Sequence, residues 1–256
     1  MTQGSMPVNS IAPLRNVGLF TSQIDRLLNR QDGEPGLGVF YGPAGWGKTM
    51  ARLYACNKYR AYGVQADDTW TKKVMCLDIL RVMGIDPAGS ISEMVRQIAA
   101  QLEKSGRPLI IDEADFVVKK SLIETVRTIY ELSQAPVILI AEDGFDVKLR
   151  RKSERVYSRV LDWTPAEPVS LGDGKMLAKL YAGAIEIAED LLKALFEKAG
   201  GDAGGASTRR FVVGLSAIRK QAMNAGLKKM GLSDFKGEFF PGDHKPRVTS
   251  FVTGVK

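Results

Sequence analysis

Between residues 42 and 49 the chain reads Gly42-Pro43-Ala44-Gly45-Trp46-Gly47-Lys48-Thr49. These eight residues match G-x-x-x-x-G-K-[ST], a pattern that belongs between a strand and a helix. The flanks supply that context. The apolar run Leu37-Gly38-Val39-Phe40-Tyr41 reads as a strand leading in, and Met50, Leu53 and Tyr54 read as a helix leading out. Glycines let successive backbone amides turn toward one point, and the start of the following helix adds positive potential there. The stretch is therefore a phosphate-binding loop. In such a loop the lysine, Lys48, reaches the β- and γ-phosphates of ATP, and the hydroxyl of Thr49 ligates Mg²⁺.

A nucleotide hydrolase also needs an acid near its metal and a base for its water. Leu109-Ile110-Ile111-Asp112-Glu113 supplies both at the end of a buried-type strand at 108–112. Asp112 is placed to hold the Mg²⁺ shell, and Glu113 to orient and polarise the attacking water. Asp112-Glu113-Ala114-Asp115 spells the D-E-A-D of helicases, but those carry a second domain of the same type, for which 256 residues leave no room.

Further strands are expected at about 63–67 and at 136–141. Helices are expected around Val74–Leu80, around Ile91–Leu102 and near 120–133. Continuous apolar strands alternating with helices predict an α/β fold, a parallel sheet sandwiched by helices. Beyond Pro165 and Pro168 the spacing becomes helical throughout: Met176 to Tyr181, Leu191 to Phe196, and Phe211 to Ala222, with Ser207 or Thr208 as a cap for the last. The expected organisation is an N-terminal segment and α/β core over 1–164, a small all-helical lid over 165–226, and a loosely ordered basic tail over 227–256.

Composition narrows the setting. Two cysteines, Cys56 and Cys76, make no disulfide framework and fit a reducing cytoplasm as core or helix-packing residues. The apolar runs fall short of the ~20 residues a membrane span needs. The single histidine, His244, rules out histidine-based triads and a histidine-rich metal site. The net charge of +7 sits entirely from Arg209 onward, where ten Lys/Arg face three Asp/Glu. Such a basic segment suits an anionic partner such as nucleic acid, or simply a solvated face.

The segment Lys148-Leu149-Arg150-Arg151-Lys152-Ser153-Glu154-Arg155-Val156-Tyr157-Ser158-Arg159 is dense in arginine. Phosphate loop, strand-borne Asp-Glu, further strand, arginine cluster and helical lid, in that order, resemble the AAA+ ATPases. On that resemblance Arg159 and Arg155 are candidates, with Arg151 behind them, for a finger sent into the neighbouring subunit's site. Gly205-Ala206-Ser207-Thr208-Arg209-Arg210-Phe211 resembles the sensor-2 motif, with Arg209 at the γ-phosphate and Arg210 as the fallback. Sensor 1 departs from the family, because Ala141-Glu142-Asp143 puts an acid where a small polar residue is usual, and its role stays open.

The short chain and the phrase Pro-Leu-Ile-Ile-Asp-Glu-Ala-Asp also resemble the transposition helper ATPases of the phage Mu B type, over roughly residues 14–225. That resemblance implies ATP-dependent assembly into a helical filament or ring on duplex DNA, sequence-blind phosphate contacts, and a partner transposase. Lys72, Lys73, Lys119 and Lys120 are the DNA-contact candidates, being where AAA+ proteins project central loops. Two alternatives stand beside it: a helicase loader or replication initiator, and a nucleotide-switched assembly protein that binds no DNA.

Overall fold

In the computed structural model, which describes residues 14–201 and 205–240, five strands form the central sheet. They are β1 (Leu37–Tyr41), β2 (Tyr62–Gln65), β3 (Leu109–Asp112), β4 (Val137–Ala141) and β5 (Val160–Pro165), paired in the order β2-β3-β4-β1-β5 and parallel throughout. The helices around the sheet are α1 (Arg15–Leu28), α2 (Lys48–Tyr59), α3 (Lys72–Met83), α4 (Ile91–Ser105), α5 (Ala114–Lys119), α6 (Ile123–Ser133), α7 (Phe145–Lys152) and α8 (Glu154–Tyr157). Three more follow β5: α9 (Leu171–Tyr181), α10 (Glu189–Lys198) and α11 (Thr208–Asn224).

Alternation along the strands divides the interior into two cores. Val137, Leu139 and Ala141 of β4 enter one, and Ile138 and Ile140 enter the other. The first core is closed by Ile79 and Leu80 of α3, Ile98 and Leu102 of α4, and Val126 and Ile129 of α6. The second is closed by Phe20, Ile24 and Leu27 of α1, Ala51 and Ala55 of α2, and by Leu195 and Phe211 from α10 and α11. A strand buried on both faces needs no polar residue, which is why β3 and β4 read as unbroken apolar runs.

The structure departs from the sequence reading in five places. Helix α1 was not anticipated, although Phe20, Ile24 and Leu27 carry helical spacing and are fully buried. β2 lies at 62–65 rather than 63–67. The helix expected near 120–133 is α6, and the short α5 before it is an unanticipated addition, bracketed by the left-handed Glu113 (φ 56) and Ser121 (φ 59). β5 is a further strand, at the sheet edge, in a segment of mixed polarity.

The fifth departure is the tail, which is packed as far as the described residues run. β7 (Lys229–Met230) pairs with β6 (Glu186–Ile187), Gln221 exchanges two hydrogen bonds with the Lys236 backbone (2.6 and 3.0 Å), and Phe235 stacks on Phe239 at 4.6 Å. A two-residue strand and a turn carry no periodicity, so nothing in the pattern announced them. The remainder of the tail, with His244, and Asp202–Gly204 of the glycine-rich link lie outside the described residues.

Candidate nucleotide site

The loop leaves β1 at Tyr41 and enters α2 at Lys48, and its carbonyls are nearly all engaged. Those of Gly42 and Pro43 accept from Lys48 Nζ (2.9 Å to Pro43), that of Gly45 from the Arg209 N–H (3.0 Å) and the Ser207 hydroxyl (3.3 Å), and that of Trp46 from Asn16 Nδ2 (2.7 Å). The N–H groups of Ala44, Gly45, Trp46, Gly47 and Lys48 find no acceptor among the described residues. A loop whose carbonyls are bonded and whose amides are free is a receptor for an anion. Glycine is required at Gly45 and Gly47: φ is 84° and 86°, and a Cβ on Gly45 would lie 2.7 Å from Ser207 Oγ.

Beside the loop opens a cavity of about 310 Å³, lined at one end by Lys48, Thr49, Asp112, Glu113, Glu142 and Arg209. Its other end is apolar, with Leu14, Leu177, Leu180, Tyr181 and Val212. A cavity with both charged and apolar walls suits a nucleotide, the first for its phosphates and metal and the second for its base. Asp112 is buried, its Oδ1 accepting the Glu113 N–H at 3.0 Å. Its Oδ2 lies 3.2 Å from Arg52 Nε, yet neither atom has a hydrogen-bonding partner of good geometry. A buried carboxylate oxygen left over in this way, with the Thr49 hydroxyl on the same cavity wall, fits Mg²⁺, a hard cation that takes few protein ligands and completes its shell with phosphate and water. Among the described residues no group of three or more acids, cysteines and histidines forms a separate metal cage.

Burial lowers the Lys48 ammonium from its ordinary value, against the pull of Glu113, Glu142, Asp112 and Asp143. Burial likewise pushes the Glu113 carboxyl up, and the charges of Asp112 and Glu142 push it further. The two arginines that open α11 separate cleanly. Arg209 lines the cavity, whereas Arg210 lies over the Phe240 ring at 4.2 Å, so the fallback candidate faces the tail.

The arginine cluster lies elsewhere. Arg159 immediately precedes β5, whose Val160 pairs with Leu37 at the start of β1, so it sits at the end of the sheet opposite the loop. The five residues of β1 put roughly 15 Å between them. Arg151 and Arg155 are exposed on α7 and α8. Lys72 and Lys73 open α3, Lys119 closes α5 and Lys120 caps it, all four exposed. They follow the C-terminal ends of the neighbouring strands β2 and β3, the end that also carries the loop.

Sequence reasoning missed three contributors. Asn16 ties the loop to the segment after β5, donating to the Trp46 and Glu167 carbonyls (2.7 Å each) and accepting the Glu167 N–H (2.8 Å). Arg52, one turn past Lys48, faces Asp112. Leu14, Leu180 and Tyr181 belong to the apolar wall. The i+4 spacing from Lys48 was the available signal for Arg52; Asn16 and the wall carried none.

Comparison with known proteins follows the same lines. The family model for the AAA domain matches residues 30–149. No curated protein matches the sequence. Among solved structures, ORC2 of Aeropyrum pernix, as ADPNP-ADP complexes, is similar with a TM-score of 0.66 at 18% identity, over 88% of this chain and 68% of that one. Cdc6p of Pyrobaculum aerophilum is similar with a TM-score of 0.61 at 16% identity, over 89% and 66% of the two chains. Domain III of the Thermotoga maritima replication initiation protein DnaA gives 0.56 at 18% identity, over 89% and 91%. At such identities the likeness is one of fold, and it agrees with the strand order and the loop: the chain has the AAA+ P-loop fold.

Proposed function

We propose that this chain is an ATP-hydrolysing AAA+ protein of the replication-initiator or helicase-loader kind, which assembles with copies of itself and acts on DNA. One observation carries the reading. Lys48, Asp112, Glu113 and Arg209 share a cavity, while Arg159 stands at the opposite end of the sheet, too far from this cavity to serve it and available to a neighbouring copy's site. In this reading the loop amides, Lys48 and Arg209 bind and orient the polyphosphate, and the apolar wall seats the base. Thr49 and Asp112 would hold Mg²⁺, which screens the phosphate charge when bound. Glu113 accepts the proton of the attacking water, and a finger from the adjoining subunit completes the charge at the transition state. The three helices after β5 act as the lid, and Lys72, Lys73, Lys119 and Lys120 are the proposed DNA contacts.

Structural likeness to ORC2, Cdc6p and DnaA supports the initiator branch, and nothing in these likenesses supports the transposition-helper expectation. No helix among the described residues is long and apolar enough to cross a membrane. The test is sedimentation and electron microscopy with ATP, with and without duplex DNA, on the parent, Lys48→Ala and Glu113→Gln. ATP-dependent assembly in the parent, none in Lys48→Ala and long-lived complexes in Glu113→Gln are expected. Equal behaviour of all three sinks the ATPase reading. Co-purification of a transposase, and of no helicase, would return the assignment to the transposition branch.

A further inference from the structure

Glu142 occupies the first position after β4, and its neighbours hold it beside the phosphate end of the cavity. Its N–H donates to Asp115 Oδ2 at 2.8 Å, and the other oxygen of Asp115 receives Lys148 Nζ at 2.7 Å. On the preceding residue, the Ala141 carbonyl accepts the N–H of Gly42, the first residue of the loop, at 3.3 Å. The backbone on both sides of the Glu142 Cα is thus fixed, and its side chain lines the same cavity as Lys48 and Glu113. The two flanking acids of α5 and β3 already have cations: Asp115 has Lys148 and Asp112 has Arg52. The Glu142 carboxylate enters no hydrogen bond or ion pair among the described residues, and its field reaches Lys48 and Glu113 in the cavity as well as Lys148, which Asp115 already holds.

The charge arithmetic at the cavity then decides how a nucleotide can enter. With Asp112 matched by Arg52, the remaining lining charges are Lys48 and Arg209 against Glu113 and Glu142. That sum is zero where a triphosphate of several negative charges must sit. A neutral residue in place of Glu142 would leave the cavity positive. We propose that Glu142 makes nucleotide binding obligatorily metal-coupled: it repels a bare polyphosphate and admits the Mg²⁺ complex, whose cation offsets the added charge. It acts as a specificity-determining residue that selects the metal-bound form of the ligand. The proposal rests on reading the cavity as an ATP site.

The experiment measures ATP affinity by isothermal titration calorimetry, once in excess Mg²⁺ and once in EDTA, for the parent, Glu142→Gln and Glu142→Asp. Glu142→Gln is expected to gain roughly tenfold in metal-free affinity while its affinity for Mg²⁺-ATP changes less than about threefold, since unit charges a few ångströms apart at a partly wet site interact on that scale. Glu142→Asp, which keeps the charge, is expected to bind as the parent does in both buffers. Equal metal-free affinity in the parent and Glu142→Gln overturns the proposal while leaving the ATP site intact. A parent that binds no ATP even with Mg²⁺ overturns the site reading and the proposal together. Thermal unfolding checks that each variant folds; should Glu142→Gln fail, Glu142→Asn is measured in its place and carries the same expectation.

Discussion

The Arg159 guanidinium lies 2.8 Å from the Glu131 carboxylate and also donates to the Arg155 carbonyl at 2.7 Å. Glu131 is bonded in turn by Arg127, so Arg159 is tied back into α6 and across the end of α8. Arg155, on the same short helix, is exposed and makes no side-chain hydrogen bond or ion pair among the described residues.

The two finger candidates should therefore behave differently. Arg155→Ala is expected to lower assembly-dependent ATP turnover by about a thousandfold or more, as loss of a finger does, and to leave nucleotide affinity and melting temperature unchanged. Arg159→Ala is expected to lower the melting temperature and reduce turnover less. Mixing Arg155→Ala with Glu113→Gln subunits should restore turnover, because the Glu113→Gln subunits still assemble and lend the Arg155 that the others lack. No recovery in the mixture would remove Arg155 from the role.

Arg52 and Asp112 form a buried pair, 13% and 3% exposed at their side chains. Arg52→Met strands the Asp112 charge and is expected to cost about 3 kcal/mol of stability, the scale for breaking one partner from a buried pair. Pairing it with Asp112→Asn should cost less than the sum of the two single changes. Mg²⁺-ATP should recover part of the Arg52→Met loss by supplying a replacement cation. Chemical denaturation of the four proteins, with and without ligand, measures all three.

Asn16→Ala removes both Asn16 donors to the loop and the post-β5 segment, and the acceptor for Glu167. About 2 kcal/mol of stability should go with these part-buried bonds. A loss of ATP affinity should accompany it, since the Trp46 carbonyl is then free to turn. Trp46 fluorescence during ATP titration reports the second effect; an unaltered titration curve would show that the loop holds its shape unaided.

Glu113 gives the pH dependence. Its carboxyl sits above the ordinary 4.5, through burial first and then Asp112 and Glu142. Only the carboxylate accepts a proton from water, so turnover should rise with pH as Glu113 ionises, with an acid limb above 4.5. Glu142→Gln removes one of the like charges and should move that limb down. The sign for stability is the reverse: a raised folded value means that the folded chain binds more protons, so this group's contribution falls as pH climbs from the unfolded value to the folded one. A kcat–pH profile and melts across the same range test the two signs separately.

The phosphate loop and the Asp112-Glu113 pair were legible because both depend on local order: a fixed spacing, and an apolar run that ends in acids. The parallel sheet followed from the continuous apolar character of β3 and β4. Helix α1 has a clean apolar stripe in Phe20, Ile24 and Leu27, yet its importance lies in Asn16 and Gln23, polar residues whose partners are 16 to 151 positions away. No window on the sequence contains such pairs. The preference for Arg209 over Arg210 came from the helical spacing of Phe211, Val212 and Leu215, whereas the packing of Arg210 on Phe240, 30 positions away, lay outside any such window. The AAA+ resemblance anticipated the fold; its narrower transposition branch rested on the short chain, the ATPase-plus-lid plan and a phrase of eight residues, and the solved structures that the chain resembles share its fold at 16–18% identity.

Helix α11 holds the Gly45 carbonyl at its first turn through Arg209 and Ser207, and the Lys236 backbone through Gln221 near its last. Its 17 residues span about 25 Å and behave as a stiff rod. A tilt of about 5° at the loop end therefore displaces the Gln221 end by about 2 Å over that length. Whether phosphate occupies the loop is thus mechanically available to whatever grips the C-terminal segment, at a distance no direct contact with the nucleotide could span.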